Sequence, residues 1–330
     1  MARTDGDSQD RRDQAASRGT EPLAVSVLIV SDYVSSDESQ WNQLRRILRA
    51  VAAQDFNEPA EFLLVENEDS AGRMPADIPQ LLPTLSIVTS ASTSSYAMKN
   101  EGARRAQAPL LAVLDADCEP APDWLRHVVN VMRRHPEAAA VNGTVTYAGR
   151  SRLERLLSLL DRSFLNQPTT GDTDSLTPSS TGFRRDVLLD HPLPDGNGPF
   201  FNKLYAQQLI RRGHRVLFEP KMRATHDFEG WPFEVDLRRN VGFATIAMRL
   251  ADREMPGAWL VRLRHAAIPV FVLGKIGLNL WTAARFARVH GVSWYEVPLA
   301  WALAPVLRCM EVPGMVAALR GDTIGKTAFR

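Results

Sequence analysis

The sequence predicts an α/β protein built on a doubly wound, mostly parallel β-sheet. Apolar runs of strand length alternate with segments in which apolar residues recur at helical spacing, as in β-α-β units. These runs are apolar throughout, which is typical of strands that helices cover on both faces. Acidic residues stand at the ends of several runs, and open sheets of this class bind ligands beyond the carboxyl ends of their strands.

Each element of the first half follows from a local pattern. Residues 24–31 and 60–67 are continuous apolar runs, and Leu44, Ile47 and Leu48 recur between them at helical spacing. The predicted order is strands at residues 24–31, 60–67, 85–89 and 110–115, with one helix after the first strand and another through residues 99–106.

The second half carries weaker signals. The polar segment NQPTTGDTDSLTPSST, residues 166–181, is rich in Thr, Ser, Asp and Pro, and it is predicted to be a mobile loop. The other predicted elements are a strand at residues 138–147, a helix at residues 204–212 that Gly213 caps, and a strand at residues 215–226.

The strand at residues 110–115 runs directly into two carboxylates, Asp115 and Asp117. Because they lie one residue apart at a strand end, both can reach one hard cation. Mg²⁺ or Mn²⁺ is usually held beside phosphate oxygens by one or two carboxylates. The alternative is that these aspartates only cap the helix that begins near Pro122.

The arrangement as a whole resembles the family 2 glycosyltransferases, which have the GT-A fold. Its order and spacing match over residues 25–147, and the most specific part is LLAVLDADCEPAPDWL at residues 110–125. GFRRDVL (residues 182–188) and GHRVLFEPKMRATH (residues 213–226) extend the match through the acceptor half. The resemblance implies a transfer, with inversion, of a sugar from a nucleotide-diphosphate sugar to an acceptor hydroxyl.

The resemblance also implies roles for residues at the predicted strand ends. Metal binding, to Mn²⁺ or Mg²⁺, falls to Asp115, Asp117 and His226. Nucleotide binding falls to Ser31, Glu66, Lys99 and Asp115. Glu66 stands where the family usually has an aspartate that contacts the base, and its extra length leaves the identity of the base open. For Ser31 and Glu66 the alternative is the ordinary polarity of a loop, and for His226 it is a structural role.

One position departs from the family pattern. An inverting displacement needs a general base for the acceptor's proton, normally an aspartate at the start of the helix before Gly213. The alignment places Asn202 at this usual base position, and an amide cannot act as the base. Asp195 in the loop DGNG is the favoured replacement, and its alternative role is that of a turn residue. Asp172 or Asp174 could also enter from the predicted loop, or the protein could be a non-catalytic relative that binds nucleotide-sugar or a partner.

The C-terminal region is basic and apolar. From residue 257 onward there are nine lysines and arginines and three acidic residues, a net charge of +6. Residues 266–284 and 297–307 are apolar runs, but Lys275 interrupts the first. A central lysine costs about 2.5–3.5 kcal/mol in a spanning helix, so helices at a membrane surface, beside anionic headgroups, are favoured over spans. The alternative is a buried helical hairpin.

The helix predicted from the segment at residues 236–250 carries Arg238 and Arg239. These side chains are predicted to reach the diphosphate or a lipid phosphate, or else to lie on a solvated face.

Composition narrows the possible partners. The whole chain has 39 Lys and Arg against 38 Asp and Glu, a net charge of +1, which argues against a nucleic-acid partner. Cys118 and Cys309 fit no metal or redox spacing, which favours a reducing compartment. The expected partners are a nucleotide-sugar donor, a glycan, lipid or small-molecule acceptor, and a membrane surface. The expected location is the cytoplasm, at the inner face of the cell membrane.

The predicted organisation has three parts. These are a disordered tail at residues 1–22, a GT-A domain at residues 23–235 with a nucleotide-binding half (23–147) and an acceptor half (148–235), and a helical region at residues 236–330. A nucleotidyltransferase on the same fold is disfavoured, because VSDYVSSDES follows the first strand in place of a glycine-rich phosphate loop.

Overall fold

The computed structural model describes residues 22–31, 38–195, 200–228 and 230–323. The predicted disordered tail lies outside these residues apart from Pro22. The strands are β1 (Val25–Val30), β2 (Ala60–Asn67), β3 (Leu85–Ser90), β4 (Leu110–Asp115), β5 (Cys118–Pro120), β6 (Ala138–Tyr147), β7 (Gly171–Asp172), β8 (Ser180–Arg184) and β9 (Arg215–His226).

Helices cover both faces of the sheet and form the C-terminal region. The α-helices are α1 (Glu38–Ala52), α2 (Glu68–Ala71), α3 (Ser95–Arg105), α4 (Trp124–Arg134), α5 (Arg152–Arg162), α6 (Arg185–Asp190), α7 (Asn202–Arg211), α8 (Trp231–Ala251), α9 (Ala267–Phe286), α10 (Val297–Cys309) and α11 (Val312–Arg320). Short 3-10 helices lie at Pro79–Leu81, Ser163–Leu165, Ala258–Ala266, Ala287–His290 and Trp294–Glu296.

The sheet confirms the predicted α/β fold and is mixed beyond its fourth strand. Its order is β3-β2-β1-β4-β8-β6-β9-β5, with β7 paired to β9. Strands β3, β2, β1 and β4 are parallel, whereas β8 is antiparallel to both β4 and β6. The four adjacent parallel strands are therefore those that the first-half patterns predicted, and β6 and β9 form a further parallel pair.

The predicted loop at residues 166–181 ends differently from expectation. Its last two residues begin strand β8, which lies in the middle of the sheet. The polar side chains are accommodated by hydrogen bonds: Trp124 Nε1 donates to Ser180 Oγ at 2.9 Å, and the Thr181 hydroxyl donates to the Thr177 carbonyl at 2.6 Å. Because satisfied hydroxyls can be buried at little cost, a Ser/Thr-rich sequence here forms a core strand.

Apolar layers lie on each face of the sheet. On one face Leu44 and Leu48 from α1 and Trp124 from α4 pack on the strands, while the other face is covered from α3, α6, α7 and α8. Leu209 of α7 and Ala244 of α8 belong to this second layer, and both are buried. The helical C-terminal region therefore joins the sheet through α8, and the predicted boundary at residue 235 falls inside that continuous helix.

Strand β9 bends where it passes Gly143 of β6. The pairing jumps from Gly143 opposite Glu219 to Thr144 opposite Arg223, so residues 220–222 form a bulge. A Cβ at Gly143 would lie 1.8 Å from the Met222 carbonyl oxygen, so only glycine fits. The bulge directs the end of β9, with His226, alongside the end of β6.

The C-terminal helices are joined to α8 by backbone contact. A Cβ at Gly242 of α8 would lie 2.0 Å from the Glu311 carbonyl oxygen, and one at Gly314 of α11 would lie 1.9 Å from the Arg239 carbonyl oxygen. Each glycine thus lets one helix lie against the other's main chain. We name this contact the glycine crossing.

A buried group of charges lies beneath these helices. It comprises Asp161, Glu234, Arg238, Lys275, Arg308 and Glu311, and we name it the charge cluster. Arg238 pairs with Asp161 and Glu234, and Glu311 pairs with Lys275 and Arg308. Buried charges persist only when they are paired in this way.

The charge cluster corrects the sequence expectation for Arg238. Arg238 is 2 % exposed, so it lies neither at a phosphate nor on a solvated face. Its partners come from α5, from its own helix and from the residue before α11, and the sequence gives no sign that they converge. Lys275 likewise turns inward from its apolar run to meet Glu311. The long stem of a lysine allows this while the helix keeps its apolar side outward.

The α9/α10 hairpin presents an apolar outer side. Leu273 is 67 % exposed and Trp281 59 %, and exposed arginines flank the region. The exposed large apolar residues of this region are Trp259, Leu263, Val270, Leu273, Leu278, Trp281, Val289, Trp294, Tyr295, Leu299, Trp301 and Val306, which we name the apolar face. By length and composition alone, Ala258–His290 and Trp294–Arg320 could cross a membrane, with mean hydropathy 1.4 and 39 % of each window buried.

Candidate active site

Strand pairing brings the second aspartate of the DAD motif to the histidine that ends β9. Cys118 of β5 lies opposite His226, so Asp117 and His226 face one another. His226 Nε2 is 3.0 Å from Asp117 Oδ2. Ligand atoms of Asp117, Cys118 and His226 all lie within 4.8 Å of one another, and the three residues are buried.

The pair is strongly ionic. Burial raises the pKa of Asp117, but the charge and hydrogen bond of His226 outweigh burial and hold this pKa at about 2. Burial lowers the pKa of His226, and Asp117 outweighs it, raising the pKa to about 9. Without a metal, the positively charged imidazole therefore neutralises the carboxylate.

Asp117 and His226 fit a divalent cation. Asp117 Oδ1 is buried without a hydrogen-bond partner among the described residues, so one oxygen stays available as a ligand. His226 Nδ1 donates to the Asp227 carbonyl oxygen, which holds Nε2 toward Asp117 in the orientation of a metal-binding imidazole. A carboxylate and an imidazole suit Mn²⁺.

Cys118 is a neighbour that the sequence did not suggest for this site. Burial raises the pKa of its thiol, and the charges of Asp117 and Asp115 raise it further. The sulfur therefore stays protonated, and a thiol is a poor ligand for a hard cation. Cys118 packs beside the metal-binding pair without joining it.

Asp115 lies in a different pairing. Lys99 of α3 is 2 % exposed, and its Nζ is 2.6 Å from Asp115 Oδ1. Burial raises the pKa of Asp115, and the Lys99 charge opposes that rise. Asp115 as a metal ligand stays a prediction, since its carboxylate faces the lysine.

The usual base position is occupied by Asn202 at the start of α7, as the alignment predicts. The Tyr96 hydroxyl donates to Asn202 Oδ1, and Tyr96 lies one turn before Lys99 on α3. Burial raises the pKa of Tyr96, and the Asp115 charge adds to the rise, which shows that Asp115 is near. Phe200, just before this position, has a φ of 68°, a strained conformation of the kind found at functional sites.

The other candidate bases lie on two segments, Asp195 on one and Asp172 and Asp174 on the other. Asp195 is exposed on the turn that follows Leu193. Asp172 pairs with Arg215 at 2.8 Å, and Asp174 pairs with Lys203 at 3.2 Å. Asp172 and Asp174 are therefore engaged by surface cations, whereas Asp195 as the base stays a prediction.

Ser31 and Glu66 lie side by side at the carboxyl edge of the parallel strands. The Ser31 backbone amide donates to the Val65 carbonyl oxygen at 3.1 Å, so Ser31, directly after β1, lies next to Glu66 near the end of β2. Both residues are fully buried, and Gln40 Nε2 donates to Ser31 Oγ at 3.2 Å. Val30 is opposite Asp115 in the register, so the predicted nucleotide-binding residues share one edge.

Arg162 at the end of α5 is a site neighbour that the sequence analysis missed. Its guanidinium carbon is 5.7 Å from the centroid of the Tyr147 ring, which is itself 5.7 Å from the His226 ring. The positive charge of Arg162 adds to the lowering of the Asp117 pKa by His226, and it opposes the larger effect of Asp117, which raises the pKa of His226. No local sequence signal marks this arginine, because only the packing of α5 beside β6 brings it to the site.

Comparison with known proteins agrees with this geometry. The Glycosyl transferase family 2 model matches residues 34–191, which include both aspartates of the DAD motif. A glucosyl-dolichyl phosphate glucuronosyltransferase of Haloferax volcanii is 23 % identical over 237 residues, which are 65 % of this chain and 72 % of that protein.

A solved structure shares the fold over almost the whole chain. It is the mannosyltransferase PcManGT of Pyrobaculum calidifontis in complex with GDP-Man and Mn²⁺, with a TM-score of 0.58 and 15 % identity over 95 % of this chain and 94 % of that one. The likeness confirms the predicted fold class. The family match over residues 34–191, the DAD motif at a parallel strand end and the GT-A fold together identify a family 2 glycosyltransferase domain in this chain.

Proposed function

We propose that the protein transfers a sugar, with inversion, from a nucleotide-diphosphate sugar to an acceptor at a membrane surface, and that it depends on Mn²⁺ or Mg²⁺. The observation that carries this proposal is the buried Asp117–His226 pair at the end of β4, with one free carboxylate oxygen. The Mn²⁺ and GDP-Man in the complex of PcManGT support it.

Each residue of the strand edge has a role in this reaction. Asp117 and His226 would hold the cation, which supplies charge neutralisation to the leaving diphosphate. Ser31, Glu66 and Asp115 would contact the nucleoside, and Lys99 holds Asp115 in place through its ion pair. The division into a nucleotide-binding half (residues 23–147) and an acceptor half (148–235) follows from this placement.

The acceptor decides whether a base is needed. For a hydroxyl acceptor we propose Asp195, because its exposed turn directly precedes the segment that leads to Asn202. A base in the right position contributes about 10²–10⁴-fold.

The proposed function predicts metal-dependent donor turnover. With Mn²⁺ or Mg²⁺ present, the purified protein is expected to hydrolyse or transfer sugar from at least one member of a nucleotide-sugar panel, and a chelator is expected to stop it. Release of nucleoside diphosphate is the measurement. Nucleotide binding without turnover of any donor, and activity gained by Asn202→Asp, would indicate a non-catalytic relative instead.

We propose further that the apolar face docks on the cytoplasmic surface of the cell membrane. Tryptophan and tyrosine favour the boundary between headgroups and acyl chains, and arginines such as Arg262 and Arg285 suit anionic lipids. The opposite side of the hairpin is fixed to the catalytic domain, since Asn279 Nδ2 and Arg308 both donate to the Leu160 carbonyl oxygen at 2.8 Å. Helices held in this way are suited to lie on a bilayer. The lipid-linked acceptor named for the Haloferax relative supports such a location.

Substitution on the apolar face should release the protein from membranes. Leu273→Glu is expected to lower binding to anionic vesicles at least about tenfold, since burying a leucine is worth about 1.5–3 kcal/mol. Flotation with phosphatidylglycerol vesicles measures this, and high salt should weaken the binding further. The matched control is Leu189→Glu, because Leu189 is an exposed leucine, 36 % accessible, on α6. Equal loss in both variants, or no vesicle binding by the unmodified protein, would contradict the proposed surface.

A further inference from the structure

On the acceptor side of the site, the usual position of the general base holds Asn202, an amide that donates hydrogen bonds, and the cationic side chain of Arg162 is also available. We propose that the acceptor's attacking atom is an oxygen of a phosphate monoester on a membrane lipid, bound by Asn202 and Arg162. This inference rests on the proposed function and names the acceptor class for the same site.

Asn202 offers the acceptor amide N–H donors and no carboxylate. Its one acceptor atom, Oδ1, already receives the hydroxyl proton of Tyr96. Tyr96 is 7 % exposed and lies on the helix that also carries Lys99, so the interaction is held in place by packing. Asn202 Nδ2 has no hydrogen-bond partner among the described residues, so its N–H groups remain for the acceptor. An N–H group favours an oxyanion and does nothing to remove a proton from a hydroxyl.

Arg162 supplies positive charge from the Asp117 side. It forms no ion pair within the described part of the chain, and its guanidinium lies over the Tyr147 ring. The neighbouring carboxylates have other partners: Asp161 receives the Tyr147 hydroxyl at 3.0 Å and pairs with Arg238, and Glu234 also pairs with Arg238. A half-buried guanidinium without its own carboxylate is suited to a phosphate.

The position of Arg162 also explains why the phosphate would be on a lipid. Helix α5 packs directly against α9 and α10, and Leu156 and Leu160 of α5 share a core with Phe286 and Val297. The same hairpin carries the apolar face on its outer side. An acceptor whose chain lies in the bilayer would thus present its headgroup close to the helix that ends in Arg162.

The chemistry needs no base. A lone pair of the phosphate oxygen forms the bond to the anomeric carbon, the bond from that carbon to the donor diphosphate breaks, and its electron pair leaves with the nucleoside diphosphate. No proton moves, because a phosphate monoester has a second pKa of about 6 and is largely a dianion at neutral pH. The product is a sugar phosphodiester of the lipid.

Comparison of acceptors tests the attacking atom. The full-length protein is given Mn²⁺, a donor that it hydrolyses, and vesicles that contain polyprenyl monophosphate or the polyprenol of equal chain length. Transfer to the monophosphate is expected to be at least about a hundredfold faster than transfer to the polyprenol, because attack by the polyprenol hydroxyl would lack its general base. A soluble alkyl phosphate shows whether phosphate alone suffices. Faster transfer to the alkyl phosphate than to polyprenyl monophosphate would overturn the inference that the acceptor phosphate is carried by a membrane lipid.

Asn202→Asp separates the two kinds of acceptor by the sign of its effect. The new carboxylate repels a phosphate, so transfer to polyprenyl monophosphate is expected to fall at least about tenfold. The same carboxylate could serve as a base for a hydroxyl. A rise in transfer to polyprenol that exceeds transfer to the monophosphate, or a hydroxyl transfer that Asp195→Asn abolishes, would overturn the inference.

Arg162→Gln tests the cation. The KM for polyprenyl monophosphate is expected to rise at least about tenfold, while the affinity for nucleoside diphosphate with Mn²⁺ is retained, and Arg162→Lys should restore part of the loss. The matched control is Arg133→Gln, because Arg133 is an exposed arginine that pairs with exposed Glu58. An unchanged KM would remove Arg162 from the site. Donor hydrolysis without transfer to the lipid phosphate overturns this inference alone, whereas absence of metal-dependent donor turnover overturns the proposed function as well.

Discussion

Replacement of Asp117 by asparagine is expected to abolish the metal-dependent part of nucleoside diphosphate binding. An amide has no charge, and Asp117 Oδ1 is a buried carboxylate oxygen without a hydrogen-bond partner among the described residues. A metal's charge stabilisation of a phosphate is worth several kcal/mol, so donor turnover should fall at least about a hundredfold. Calorimetric titration of nucleoside diphosphate with Mn²⁺ and with a chelator measures the first effect, and initial rates measure the second.

The matched control for this variant is Asp55→Asn. Asp55 pairs with Arg126 at 3.2 Å in the loop before β2, at the opposite ends of the parallel strands. The Asp55→Asn variant should bind nucleoside diphosphate and turn over the donor like the unmodified protein. Because Asp117 also pairs with His226, thermal unfolding of both variants shows whether the fold is retained. Full metal-dependent binding by Asp117→Asn would mean that other residues hold the cation.

Replacement of Glu311 by glutamine is expected to destabilise the protein strongly. Glu311 is fully buried and faces Lys275 and Arg308 directly, with Arg238 at 3.8 Å. Loss of one partner from a buried ionic group leaves uncompensated charge and typically costs about 3–5 kcal/mol. The free energy of unfolding, from urea titration followed by circular dichroism, should fall by about this amount.

The matched control for Glu311→Gln is Glu101→Gln. Glu101 also pairs with two arginines, Arg104 and Arg105, but on the surface, where such pairs contribute about 0–1 kcal/mol. Similar small losses in both variants would contradict a stabilising role for the charge cluster.

The pH dependence of unfolding gives a second check on Glu311. Burial raises the pKa of Glu311, but Lys275 and Arg308 outweigh burial and lower it overall. Its contribution should therefore be present above the ordinary glutamate pKa of about 4.3 and be lost as the pH falls below that value. Glu311→Gln should remove this acid-dependent part of the stability.

Most of the strand edge could be predicted because its signals are local. Continuous apolar runs define β1, β2 and β4, and the residues that end them, Asp115 among them, are adjacent in sequence to those runs. The parallel register then requires that these ends meet at one edge. His226 could be predicted only through the family pattern, because a strand end alone does not say which neighbour it meets.

The remainder of the site depends on contacts between distant segments. Arg162 reaches the His226 neighbourhood through the packing of α5, and Tyr96 reaches Asn202 across 106 positions of chain. Arg238 was expected at a phosphate or in solvent because its helix shows two adjacent arginines, whereas three acidic partners from separate elements surround it. A pair of arginines in a helix predicts exposed side chains only when no acidic residues from other elements are buried beside them. Whether such residues meet an arginine is decided by the folded chain and cannot be seen in the local sequence.

The glycine crossing has a consequence for the reach of the enzyme. Main chain in contact with main chain leaves no side-chain layer that could repack, so α8 and α11 are not free to slide past one another. If the apolar face rests on a bilayer, the glycine crossing keeps the DAD motif at a fixed height above the lipid plane. Acceptors would then be selected by how far their reactive group stands from the bilayer. An acceptor whose reactive group stands too close to the bilayer or too far from it would not reach the DAD motif, even if that group were chemically suitable.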